Sequence, residues 1–186
     1  MKHGQWYKIM SQLKVNSIVP VAGLPSGAKG GIIQVKQNIK TDTSSFNAST
    51  GNFSSNIGGL TETITTQSSS SQVLIILHTN LSTSTGQRCT FRILRGSTVL
   101  SVGDASSDVV RGIVPSICPA DNDSRSVPIS MMIMDAPGSA ATHTYNVQGS
   151  GESSAGEVFI NRTKGNNTSS TYQCGISSIT LMELGG

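Results

Sequence analysis

The chain has 186 residues, of which 12% are charged and 4% aromatic, and its formal net charge is +3. That length suits one β-sandwich of ordinary size plus an extension, and the Ser and Thr that fill about a quarter of it suit short strands and polar turns and exclude a helical bundle. Thirteen Lys and Arg spread without a dense run give no surface that tracks phosphates, and no apolar stretch approaches the roughly eighteen residues of a membrane span, so neither nucleic acid nor membrane is an expected partner.

Residues 1–29 differ from the rest. Trp6, Ile9, Met10 and Leu13 follow the spacing of an amphipathic helix, whereas Leu13, Val15, Ser17 and Val19 alternate as a strand does. A short helix followed by an extended segment is expected. Trp6 and Tyr7 beside Lys2, Lys8 and Lys14 suit insertion into a groove on an acidic partner, which makes Trp6, Tyr7, Ile9, Leu13, Val15 and Ile18 the candidate attachment residues. The first fifteen residues have no apolar core or small-residue cleavage site of a secretory leader. The turn-rich run from Pro20 to Gly31 then breaks any helix and separates this anchor from a head of residues 30–186.

From residue 30 the pattern is strand after strand: Ile32 to Asn38, Leu60 to Thr66, Val73 to Leu81, Arg88 to Leu94, Thr98 to Gly103, Val109 to Pro115, Val127 to Asp135, His143 to Gln148, Val158 to Arg162 and Ile176 to Leu184. With no helical period between them, these predict an all-β antiparallel sandwich or jelly roll. Val73 to Leu77 and Ile129 to Met134 are apolar on both faces. A strand wetted on one side would not tolerate that, so a second cover is expected, most simply a neighbouring copy. The final run, Ser177 to Gly186, is apolar on alternate positions without a polar tail, and its ordering needs burial in a sheet or at a subunit contact. Ile179 and Leu181 are expected inward against Thr180 and Met182, and Ile179, Leu181 and Leu184 are the candidate oligomer contacts. Thr41 to Asn56, Gln67 to Gln72 and Gly149 to Gly156 read as loops. Cys89, Cys118 and Cys174, odd in number and far apart, read as buried thiols of a protein assembled in a reducing cytosol.

Arg95-Gly96-Ser97 and Asp135-Ala136-Pro137-Gly138 predict tight hairpin turns, the second with φ preset at Pro137, permitted at Gly138, and Asp135 accepting from the turn's own amides. Arg95 itself reads as a solvated turn residue. Chemistry is scarce. Only His3, His78 and His143 offer neutral-pH bases, and the last two read as hydrogen-bonded sheet residues. No nucleophile elbow, metalloprotease helix, P-loop or dinucleotide fingerprint occurs. Asp121-Asn122-Asp123-Ser124 begins like a calcium loop but lacks its glycine and closing glutamate, so it reads as a solvated turn. Met131, Met132 and Met134 read as core filling. No catalytic residue, cofactor or metal is expected, and the chain is not expected to be an enzyme.

Leu13-Lys14-Val15-Asn16-Ser17-Ile18-Val19-Pro20, the Gly23-Leu24-Pro25-Ser26-Gly27 connector and Gly30-Gly31-Ile32-Ile33-Gln34-Val35 resemble the start of small fibre-type virion proteins of cyanobacterial and marine bacteriophages. Phe91 to Thr98 with Gly103-Asp104, Met134 to Gly138, Thr144 to Gln148, Val158 to Arg162 and Ser178 to Glu183 are similar, in the same order, to that group's C-terminal module. The resemblance implies a homotrimeric jelly roll akin to C1q and tumour-necrosis-factor heads, with its N-terminus attached to the virion. Lacking a shaft-forming repeat, the chain suits a short projection. The expected role is therefore capsid decoration, cement or head fibre at the virion surface, assembled in the host cytoplasm with capsid or tail proteins of the same virion as partners. The alternative is a short tail fibre or adhesin tip binding a host-surface glycan or protein. Sugar-binding tips usually present stacking Trp or Tyr, and the loops here offer only Phe46 and Phe53. A hydrolase of surface polysaccharide would need two facing carboxylates, and nothing singles out Glu152 with Glu157 or Asp121 with Asp123.

Overall fold

Where β-branched residues alternate with small polar ones, a pleated backbone can turn one set inward and the other outward. The computed structural model describes residues 31–47, 52–84, 88–105, 110–114, 125–151, 156–165, 170 and 172–186. Among these residues ten strands form: β1 (Ile32–Lys40), β2 (Ser44–Asn47), β3 (Thr61–Thr65), β4 (Gln72–Thr83), β5 (Cys89–Arg95), β6 (Thr98–Leu100), β7 (Val127–Asp135), β8 (Thr142–Gly151), β9 (Glu157–Ile160) and β10 (Ser177–Leu184). No helix occurs among the described residues.

Every strand pairing is antiparallel. One sheet runs β1-β10-β4-β7, with the short strands β9 and β2 continuing it beyond the end of β10, and the other runs β3-β8-β5-β6. Setting β2 and β9 aside, the eight main strands in chain order lie as 1-8-3-6 in one sheet and 2-7-4-5 in the other. That is the strand order of a jelly roll, two Greek keys closed into one sandwich. Because β10 lies between β1 and β4, the last strand is a central strand of its sheet, which meets its need for burial.

The inner faces supply one core: Ile75, Leu77, Ile133, Ile179 and Leu181 from the first sheet meet Ile64, Phe91, Ile93, Tyr145 and Val147 from the second. Burying each of the larger side chains contributes about 1.5–3 kcal/mol. Phe46 of β2 packs edge-on to Phe91, with ring centroids 6.3 Å apart. Its ring fills the space above Gly149, where any Cβ would fall within the ring.

Several expectations are corrected. Thr41 to Asn56 is not all loop: Ser44–Asn47 pairs with β9, and Phe46 turns into the core rather than decorating a loop. Residues 110–114 are not a strand; Ile113 donates its N–H to the Phe91 carbonyl and the segment lies against β5. Arg95-Gly96-Ser97 does make the β5–β6 hairpin, with Gly96 at φ 58°. The Asp135 to Gly138 turn makes no hairpin, because β7 and β8 belong to different sheets, and the segment is a crossover. Asp135 accepts not from turn amides but from Arg95 and Tyr145, and Arg95 is therefore an ion-pair partner rather than a solvated turn residue. Cys89 is buried, but Cys174 lies at the surface. The anchor with Trp6, Tyr7, Ile9, Leu13, Val15 and Ile18, the boundary at residue 29, Cys118, Asp121, Asp123 and Glu152 all lie outside the described residues.

Candidate oligomer interface

Register places three rows of side chains on the outer face of the β1-β10-β4-β7 sheet. The first row is Val35, Met182, Leu74 and Met134; the second is Gln37, Thr180, Ile76 and Met132; the third is Ile39, Ser178, His78 and Ser130. None of these twelve carries a formal charge. Alternation explains why they point outward, since Val73, Ile75 and Leu77 of β4 and Ile129, Met131 and Ile133 of β7 take the inward positions between them. In the single chain four of the seven apolar members are exposed, Met132 at 65%, Val35 at 51%, Ile39 at 50% and Met134 at 44%, while Leu74, Ile76 and Met182 are half-buried. An uncharged, largely apolar surface across four strands is what a partner covers.

The rows are graded. The first is wholly apolar, the second half so, and in the third Ser178, His78 and Ser130 leave only Ile39 apolar. Two side-chain hydrogen bonds lie within the grid, from Gln37 Nε2 to Thr180 Oγ1 at 2.9 Å and between His78 Nδ1 and Ser130 Oγ at 3.0 Å. The apolar row is nearest the pole where Gly31 enters β1 and accepts a hydrogen bond from the Gly185 N–H. The β4–β5 and β8–β9 connections leave from the opposite pole.

Polar groups turned inward hold this sheet in place. Glu183 of β10 is wholly buried and accepts from Gln34 Nε2 at 2.6 Å and from the Gln67 backbone N–H at 2.7 Å. Desolvation pushes its carboxyl up, but those hydrogen bonds outweigh it and hold the group below its usual range. At the strand's other end the Ser177 hydroxyl donates to Asn161 Oδ1 and lies 2.9 Å from the Thr79 hydroxyl, while Asn161 Nδ2 donates to the Lys40 and Asp42 carbonyls, which ties β1, β4 and β10 together. Asn161 sits at φ 62°, a left-handed conformation that asparagine tolerates better than most residues. Between the sheets Arg95 Nη1 donates to both Asp135 oxygens, at 2.9 and 2.7 Å, and the Tyr145 hydroxyl donates to Asp135 Oδ2 at 2.8 Å. Burial and the adjacent carboxylate push the Tyr145 hydroxyl up, so it stays a donor.

The candidate contact residues divide by side. Ile179 and Leu181 are fully buried inside the chain's own core, so their burial is met without a second copy; this corrects their assignment to an oligomer contact. Leu184 is half-buried and pairs with the exposed Ile32 at the rim of the outer face. The register expected for this strand, Ile179 and Leu181 inward and Met182 outward, is the one found. Met131 is core, but Met132 and Met134 are not, which corrects their reading as filling. Sequence reasoning missed Val35 and Gln37, which belong to the face only through pairing with β10. Its signal, the doubly apolar runs, falls on β4 and β7, whose outward residues form this face beside β10. His78 and His143 are hydrogen-bonded, His143 Nε2 lying 3.2 Å from the Ser139 carbonyl. Glu157, at the start of β9, accepts from Ser45 Oγ at 3.1 Å. Among the described residues no cluster of His, Cys, Asp or Glu could hold a metal ion, and no helix is long and apolar enough to cross a membrane.

No model of a known protein family matches the chain, and no curated protein matches it.

Proposed function

We propose that the chain is a non-enzymatic bacteriophage virion protein, a homotrimeric jelly-roll head tethered to the particle surface by residues 1–29 in a capsid-decoration, cement or head-fibre role. The observation that carries the oligomer is the uncharged outer face of β1, β10, β4 and β7. A second copy is its occupant, for two reasons. A face without charge can meet its own copy with no like-charge penalty, although the chain as a whole bears +3. Its grading is also self-complementary when strands run parallel, because apolar rows then meet apolar rows and polar rows meet polar rows. Parallel strands place the symmetry axis along the strands, and in a trimer three such faces converge on that axis, so every copy's Gly31 lies at one pole and every tether leaves on the same side. Such a ring suits a head mounted on a surface. The virion assignment itself rests on the sequence resemblance.

Deleting residues 1–29 is expected to leave the head folded and oligomeric but to abolish its presence on purified particles. Truncated protein retained at full occupancy would move attachment to the head's underside, and a chain found in no particle would overturn the virion role. The alternative, a tail-fibre or adhesin tip, would place affinity for a host-surface glycan or protein in the loops of the pole opposite Gly31.

A further inference from the structure

We propose that His78 determines how copies mate on this face, through a hydrogen bond at Nε2 that a parallel, in-register neighbour supplies and that mating against the apolar first row does not. The inference rests on the oligomer reading above.

Most of the face cannot specify an arrangement. Met132, Met134 and Met182 are unbranched and adaptable, and thioether surfaces of this kind repack against many shapes. His78 is different. Its strand neighbours on the same face are Ile76 and Asn80, and across the ladders it faces Ser178 on one side and Ser130 on the other. Nδ1 is engaged with Ser130 Oγ at 3.0 Å, while Nε2 has no hydrogen bond to a described residue. Asn80 is held along the strand edge, since its Nδ2 donates to the Ile176 carbonyl at 2.8 Å. No Asp, Glu, Lys or Arg stands in the three rows to partner the imidazole.

Covering the face takes Nε2 away from water. In parallel mating the third row meets the third row, where the neighbour's Ser178, Ser130 and His78 offer hydroxyl and imidazole groups. Antiparallel mating, or a slip of four residues along the strands, sets Nε2 against Val35, Leu74 and Met134, which offer nothing. A buried polar group without a partner is penalised more heavily than a formed hydrogen bond is rewarded, so the wrong arrangements are disfavoured. A polar group that needs a partner at one end of a graded face thereby selects register and stoichiometry.

The test compares the full chain with His78→Leu and His78→Gln by native mass spectrometry and thermal melting. The wild type is expected as one closed stoichiometry. His78→Gln keeps a donor and an acceptor and is expected to keep that stoichiometry. His78→Leu is expected to melt no lower yet to populate at least two stoichiometries, because its face is adhesive and no longer selective. A His78→Leu protein with the single wild-type stoichiometry overturns the inference and leaves the oligomer standing. Loss of the single species in His78→Gln as well overturns it too, since shape rather than hydrogen bonding would then set the fit. A monomeric wild type overturns the oligomer reading and this inference with it.

Discussion

On the outer face of the β3-β8-β5-β6 sheet the side chains satisfy one another. Thr63 and Thr144 hydroxyls meet at 3.0 Å, Thr65 and Thr142 at 2.9 Å, and Thr61 donates to Asn146 Oδ1 at 3.0 Å. Beside them Arg92 donates Nε and Nη2 to Gln148 Oε1 and lies 3.9 Å over the Phe53 ring. On the outer face of the other sheet the equivalent positions hold Val35, Leu74, Met134, Ile76 and Met132, with two isolated hydrogen bonds. Both sheets use the same alternation and share one core. What differs is the outward set: hydroxyls, amides and a guanidinium leave the first face at ease in water, whereas aliphatic and thioether groups leave the second in need of cover. Alternate residues of a few strands thus give one sandwich two outer faces of opposite character.

The sharpest break of that comparison lies within one strand. Leu181→Asp and Met182→Asp change adjacent residues of β10 that point to opposite sides. Emptying the Leu181 site costs about 2–5 kcal/mol, and an unpaired buried carboxylate adds several more, which together approach the whole stability of a small domain, roughly 5–15 kcal/mol. Leu181→Asp is therefore expected to lose its cooperative melt by circular dichroism. Met182→Asp is expected to keep its fold and sediment as a monomer. If both variants unfold, or neither loses its oligomer, the outer face is not an interface.

Between the sheets, Asp135→Ala removes the acceptor of both Arg95 and Tyr145. A loss of about 2–4 kcal/mol in denaturant unfolding is expected, because the buried Tyr145 hydroxyl and the half-buried Arg95 both lose their acceptor. Tyr145→Phe, which removes one bond, is expected to lose about 1 kcal/mol. Acidification reads the interior of the first sheet. Glu183 is held below its ordinary value of 4.5 in the folded chain, so its contribution is full above that pH and is lost as pH falls through the folded value. Stability is expected to decline on acidification below about pH 4.5, and Glu183→Gln to flatten that part of the curve. The smallest effect belongs to the water-facing sheet: Thr63→Val is expected to change stability by less than about 1 kcal/mol and to leave the oligomer unchanged.

Nine strands and the sandwich were legible because short runs, alternating or continuously apolar, stand between polar turns with no helical period, and the β5–β6 turn because Gly96 supplies its own geometry. Three things were not. Ser44–Asn47 is too short and polar to signal a strand, and only the pairing with β9 and the ring contact with Phe91 make it one. Asp135-Ala136-Pro137-Gly138 marks a reversal, but local turn chemistry does not say whether the next strand pairs in the same sheet or crosses to the other. The side of β10 that would meet another copy was misjudged because Ile179 and Leu181 are the more apolar set. Their neighbours come from β1, β4 and the opposite sheet, and that information is not local to the strand. Val35 and Gln37 became visible only through register with Met182 and Thr180.

Light scattering on the full chain at micromolar concentration tests the central claim most directly, because every property assigned to the uncharged face depends on its being covered. The expected result is a particle of three times the 19.4 kDa chain mass that persists on dilution. A folded chain that stays at 19.4 kDa throughout would contradict it.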